Sequence, residues 1–355
     1  MKLRKLFVVL FAFSLFAAAC GDDDDETAAS DSATVGTAAD DAAAEDTAAV
    51  DTADTADTAD TAAAAGGDCV VGVSWNNYQE ERWAKWDEPA LQAAIEAGGG
   101  TYISNDAKSS EETQASNIEN LISQGANVLV VLAQDGTAVK PSVTSAIEQG
   151  VPVIAYDRLI EDEQALYITF DNVEVGRMEA QAVFDLVPTG NYIIIKGNSA
   201  DANADFLRDG YEEVIGEAVA AGDITIVGED YTDNWDPAIA QTTTEQFLTE
   251  ANNDVQAVLS QNDGMAGGVV AALEAQGLAG EVPVSGQDGD LAALNRIALG
   301  TQTVDVWKDA RELGTTAGEA AVALCADPDA ANVEGTAVFT TPGGIDVNSI
   351  LLTPI

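Results

Sequence analysis

Residues 127–156 read NVLVVLAQDGTAVKPSVTSAIEQGVPVIAY. The two ends, NVLVVL (127–132) and VPVIAY (151–156), are short, β-branched and apolar at nearly every position, as strands buried on both faces are. The run between them, 138–149, has helical character. Strand, helix and strand within about thirty residues make one right-handed βαβ unit with its strands parallel.

The unit repeats in both directions. Further strands read CVVGVSW (69–75), TYISN (101–105), NYIIIK (191–196), ITIVGE (224–229), QAVLS (256–260) and VPVSG (282–286). Helical runs lie near 80–98, 112–124, 174–187, 204–221, 237–250, 265–276 and 290–299. The fold class is α/β. Eight such units could close as one barrel or divide into two open sheets. YITFDNVEVG (167–176) and GTQTVDVWKD (300–309) interrupt the spacing, which predicts chain crossings between two lobes, with a third in the tail from Val338 onward. The expected architecture is two doubly wound parallel-sheet lobes joined by a multi-strand hinge. Residues 68–171 plus 305–339 form the N-terminal lobe, and 172–304 plus 340–355 the C-terminal lobe. A ligand would sit between them, at the carboxyl ends of the strands.

Upstream, Lys2, Arg4 and Lys5 precede an apolar run from Leu6 to Leu15, and Ala17-Ala18-Ala19 leads onto Cys20. This is a secretion signal (1–19) with a lipobox-like end, too short to span a bilayer with margin. Cys20 is then the first mature residue and the expected lipidation site, an anchor to the membrane. Residues 21–67 hold 14 acidic residues, no Lys or Arg, and no Trp, Tyr, Phe, Leu or Ile. Such a segment (20–67 with its cysteine) is expected to be a disordered acidic tether. The protein is expected at the outer face of the cell membrane or in the periplasm.

The chain has 61 acidic residues against 14 basic ones, a net charge of −47, and no histidine. This balance excludes nucleic acid and anionic membrane faces as charge-driven partners. The missing histidine removes Ser-His-Asp and Cys-His catalysis and every His-ligated metal site. No cofactor or metal is expected, and no enzyme activity, although paired carboxylates could in principle cleave glycosides. After Cys20 only Cys69 and Cys325 remain, an even count in an oxidising compartment.

Residues just past the strand ends form one set: Arg82 and Trp83, then Asp157 and Arg158, Asp201 and Asn203, Trp235, Asn262, Asp288, and Lys308 near the second crossing. Planar polar groups bond adjacent hydroxyls in pairs, and aromatic faces cover the C–H patches of a sugar ring. A phosphate would want a glycine-rich P-loop, which is missing. Singly, Asp201 or Asn262 reads as a helix cap. Trp75 and Trp86 read as core or rim.

With those residues assembled, the chain resembles the D-xylose-binding proteins of bacterial ABC sugar importers, in the type I periplasmic-binding-protein fold. The likeness covers about 69–355. It is carried by ERWAK (81–85), EETQASNIENLISQG (111–125), AYDRLI (155–160), FDNVEVG (170–176), QNDGMAGG (261–268), AQGLAG (275–280), SGQDGDL (285–291), GTQTVDVWK (300–308) and LLTPI (351–355). Ala202 stands where the family usually has Asn, and Asp309 where Pro is common. The resemblance implies a monomeric binding protein that closes on a neutral monosaccharide, D-xylose first, and hands it to an ABC permease with its ATPase. The alternatives are another aldose (glucose, arabinose, galactose) or a sensor feeding a chemoreceptor or receptor kinase. It implies that Trp83 and Trp235 sandwich the ring, with Arg82, Asp157, Arg158, Asp201, Asn203, Asn262, Asp288 and Lys308 on its hydroxyls. It also brings Cys69 and Cys325 to the same end of the N-terminal lobe, as a disulfide or as two buried thiols.

Overall fold

The structure is a computed structural model and describes residues 69–355. The expected signal (1–19), Cys20 and the tether lie outside the described residues. Among the described residues no helix is long and apolar enough to cross a membrane.

The first lobe opens with β1 (Val70–Trp75), β2 (Thr101–Asp106), β3 (Val128–Val131), β4 (Val153–Tyr156) and β5 (Leu166–Phe170), alternating with α1 (Glu88–Ala97), α2 (Glu111–Ser123) and α3 (Lys140–Glu148). With β9 (Ala337–Thr340) and β10 (Asp346–Leu352) they make one sheet in the order β2-β1-β3-β4-β5-β10-β9. All pairs are parallel except β9 with β10. Period-2 alternation splits each central strand between two cores. Val71, Val73 and Trp75 pack with Val128 and Val130 against α1 and α9 (Ala310–Ala326), while Leu129 and Val131 pack against Ile118, Leu121 and Val143 of α2 and α3.

The second lobe holds β6 (Gly190–Lys196), β7 (Ile224–Tyr231) and β8 (Ala257–Ser260) in the order β7-β6-β8. Its helices are α4 (Asn172–Phe184), α5 (Asn203–Ala221), α6 (Pro237–Glu250), α7 (Asp263–Ala275) and α8 (Leu291–Leu299). Helices α4 and α5 approach backbone to backbone: a Cβ on Gly176 would sit 2.2 Å from the Leu207 carbonyl oxygen, and one on Gly210 2.2 Å from that of Val173. That packing sets Asn203, at the start of α5, beside Asn172, at the start of α4.

The strand expected at 282–286 is reduced to the isolated bridge Val258↔Val284, with Gln287↔Val306 beyond it. Val258 donates to the Pro283 carbonyl and accepts from the Ser285 N–H, but Pro283 has no N–H to carry the ladder back, and beyond it the Ser260 N–H is taken by the Ser285 hydroxyl.

The chain passes between lobes at Asp171, between β5 and α4, and again between Val306 and α9. The end of the chain joins them: the Trp307 and Ile355 backbones exchange two hydrogen bonds of 2.8 and 3.0 Å. The assignment of 340–355 to the C-terminal lobe is corrected for its larger part. β10 pairs with β5 in register, Asn348↔Leu166 to Leu352↔Phe170, because β5 would otherwise leave a buried strand with an open edge. Only the last three residues reach the hinge.

Cys69, just before β1, and Cys325, near the end of α9, are joined in a disulfide with Cα atoms 5.6 Å apart.

Candidate functional site

All ten residues named at the strand ends line a single cavity between the lobes: Arg82, Trp83, Asp157, Arg158, Asp201, Asn203, Trp235, Asn262, Asp288 and Lys308. Glu80 and Gln287 complete the wall. The cavity holds about 290 Å³ of atom-free space, counting the part that opens to solvent.

Local backbone geometry aims these groups. β4 ends in a three-residue turn, Arg158 N–H to Tyr156 carbonyl at 2.7 Å, with Asp157 at its centre at φ 61°. Asn234 (φ 54°), Trp235 (φ 56°) and Asp288 (φ 104°) are also left-handed. Each such conformation costs about 1–3 kcal/mol in a residue other than glycine and persists where its surroundings hold it. Trp83 opens a π-helical turn (Trp83–Asp87) that runs into α1. The Trp235 ring packs against Gly197, where a Cβ would come within 2.2 Å of it.

Charge is tightly paired. Arg82, 2% exposed, donates to both oxygens of Asp87 (3.0 and 2.8 Å) and reaches Asp157 and Asp288 at 3.3 Å each. Lys308 Nζ stands 3.4 Å from the same Asp288 oxygen. Arg158 Nη2 donates to Glu80 (3.0 Å), and its Nε lies 3.0 Å from Asp201. Burial pushes the Asp157 carboxyl upward, but Lys308, Arg82 and Arg158 outweigh it and hold the group below the usual carboxylate range. Asp201 goes the other way, raised by burial against the pull of Arg158.

Several pairs bridge the lobes: Arg82 to Asp288, Arg158 to Asp201, and Asn203 Nδ2 to the Asp157 carbonyl (3.1 Å) and carboxylate (3.2 Å). Gln134 Nε2 also donates to Asn234 Oδ1 at 2.7 Å. The lobes are closed on each other. Asn203 is fully engaged, since its Oδ1 accepts from Asn172 and Tyr167. Asn262 caps α7 through Oδ1, which leaves its amide for the cavity. Two buried polar atoms of the lining have neither a hydrogen-bond nor an ion-pair partner: Trp235 Nε1, a donor, and Gln287 Oε1, an acceptor. Donors and acceptors mixed in this way match hydroxyls, which both give and accept.

The tryptophans separate by role. Trp83 and Trp235 face the cavity, one from each lobe, while Trp75 is fully buried in the core and Trp86 and Trp307 are about 40% exposed outside it. Sequence reading missed Glu80 and Asp87. In QEERWAKWD both look like members of a solvated charged run; Arg82 and Trp83 turning inward is what draws them in.

Beside the site, Asp290 stands at the start of α8, where its side chain makes no capping hydrogen bond. Burial, then Asp288, Glu81 and Asp305, raise its pKa to about 7, opposed by Arg82. The native state therefore binds this proton more tightly than the unfolded chain, and stability falls as pH rises from about 4 through about 7. Asparagine is nearly the same size and removes only the charge, and no capping bond is lost. Asp290→Asn should stabilise the protein by about 1–3 kcal/mol at pH 8 and leave it unchanged near pH 4, as read by urea unfolding. An equal effect at both pH values would contradict the assignment.

The two-lobed α/β fold with its closed interlobe cavity is that of a solute-binding protein. The chain matches the family described as periplasmic binding protein domain over residues 71–328, and it belongs to that family. It is 41% identical over 295 residues to the D-xylose-binding periplasmic protein of Escherichia coli (strain K12), covering 82% of this chain and 88% of that one. To the D-xylose-binding periplasmic protein of Haemophilus influenzae it is 37% identical over 258 residues, covering 72% and 77%. Among solved structures it is similar to a carbohydrate transporter solute binding protein from Chloroflexus aurantiacus in complex with D-glucose, at 29% identity and a TM-score of 0.75, covering 81% of this chain and 92% of that one.

Proposed function

We propose that this chain is an exported sugar-binding lipoprotein that closes its two lobes on a neutral monosaccharide, D-xylose in the first place, and delivers it to an ABC permease and its ATPase. The observation that carries this reading is one tryptophan from each lobe facing a cavity whose cations are all paired with carboxylates. A charged ligand would have to break one of those buried pairs, at a cost of several kcal/mol. A neutral ring needs only stacking faces and mixed hydroxyl partners. D-xylose is put first because the relatives at 41% and 37% identity carry that name. The binding step in this reading involves no catalysis.

The test is a thermal-shift panel of D-xylose, arabinose, ribose, glucose, galactose and xylonate. A ligand at 100 times its Kd adds about 2.7 kcal/mol of stability. D-xylose should give the largest shift per unit concentration and xylonate none. A panel in which only xylonate shifts the transition, or no sugar does, would sink the reading. The lipid anchor at Cys20 belongs to the same proposal; Cys20→Ala should release the protein from the membrane fraction or leave it unprocessed, and continued membrane association would refute it.

A further inference from the structure

Glu80 lines the cavity, and each of its carboxylate oxygens already accepts a hydrogen bond from another group of the lining. Its Oε2 accepts from the Trp83 indole Nε1–H at 2.8 Å, and its Oε1 accepts from Arg158 Nη2 at 3.0 Å. The side chain is 9% exposed. Those two donors are the first lobe's stacking ring and its hydroxyl-binding arginine. Both bonds lie within that lobe, whereas the contact of Arg158 with Asp201 forms only when the second lobe arrives. Besides Glu80, the first lobe restrains Arg158 through the Ala133 carbonyl at 3.2 Å.

We propose that Glu80 is the positioning residue that fixes the Trp83 ring plane and the Arg158 guanidinium together, so that the first lobe meets the sugar with both groups already aimed. The inference rests on the cavity being a sugar site. Preorganisation of this kind lowers the ordering cost of binding. A carboxylate can serve both donors because it has two acceptor oxygens and no hydrogen; a glutamine amide must turn an N–H toward one of them. Burial raises the Glu80 carboxyl, while Arg158 and the Trp83 N–H favour its charged form.

The experiment pairs calorimetry with the indole region of a ¹H–¹⁵N spectrum, where the five tryptophans give five Nε1–H cross-peaks. Glu80→Gln should weaken D-xylose binding about 10- to 100-fold, the range for one lost charge-assisted bond. In the free protein it should displace the Trp83 cross-peak and leave the other four in place. Glu80→Asp keeps the charge but withdraws the oxygens, and should show the same two changes. Trp83→Phe keeps a ring but removes the N–H, so in that background Glu80→Gln should cost clearly less than in the wild type. Unchanged affinity, or a Trp83 cross-peak that does not move, would overturn the proposal. The spectrum is read without sugar, so it judges Glu80 independently; a wild type that binds no sugar would refute the function instead.

Discussion

Replacing Arg82 with methionine is expected to cost about 3–5 kcal/mol of folding stability at pH 7 without ligand, the range for removing one partner of a buried ion pair. One guanidinium here serves Asp87, Asp157 and Asp288 and is almost wholly buried. Asp87 suffers most. It is inaccessible to solvent and would keep only the Tyr156 hydroxyl as a side-chain donor. Burial already raises its carboxyl above the usual range while Arg82 pulls it down; without Arg82 the burial is opposed by much less. A raised native pKa means that the variant loses stability as pH rises from about 4 through that value. Its deficit against the wild type should therefore be largest at neutral pH and shrink in acid. Urea unfolding at pH 7 and pH 4 measures both, and a variant as stable as the wild type at pH 7 would show that the cluster contributes nothing to the fold.

Removing the Cys69–Cys325 disulfide should cost a similar amount. The bond closes a loop of 256 residues. In the chain-entropy view, cross-linking a loop of that length takes about 5 kcal/mol of freedom from the unfolded chain. The bond also holds the start of β1 against the end of α9, within the core that contains Trp75 and Leu313. The double variant Cys69→Ala, Cys325→Ala should unfold about 10 °C lower than the oxidised wild type, taking about 2–4 °C per kcal/mol for a domain of 150–250 residues and less for a longer one. Two free thiols in the denatured, unreduced protein, with no drop in Tm for the variant, would reject the bond.

Both effects depend on contacts that sequence reading reached unevenly. β3 and β4 were legible as apolar runs because both their faces are covered, and α6 was read as 237–250, its observed bounds, because Asp236 and Pro237 mark its start. β10 was not. DVNSILL (346–352) contains only two buried residues besides its partly buried ones, and its partner β5 lies some 180 residues earlier, so no local signal assigns it to the first lobe. The ten cavity residues were legible because strand ends in an α/β fold converge there. Their division of labour was not: Asn203 spends both ends of its amide on holding the lobes together, and Gln134 reaches Asn234 across the cleft, pairings that depend on closure rather than on spacing.

The central claim is that the sugar is held between Trp83 and Trp235 as the lobes close. Calorimetric titration of D-xylose into Trp235→Ala and Trp86→Phe, each against the wild type, tests it most directly. Loss of the Trp235 face should cost about 1–3 kcal/mol, toward the low end because a saturated ring stacks less strongly than a planar one. Trp86, outside the cavity, should leave the affinity at the wild-type value. If Trp86→Phe abolishes binding while Trp235→Ala does not alter it, the ligand does not sit in this cavity.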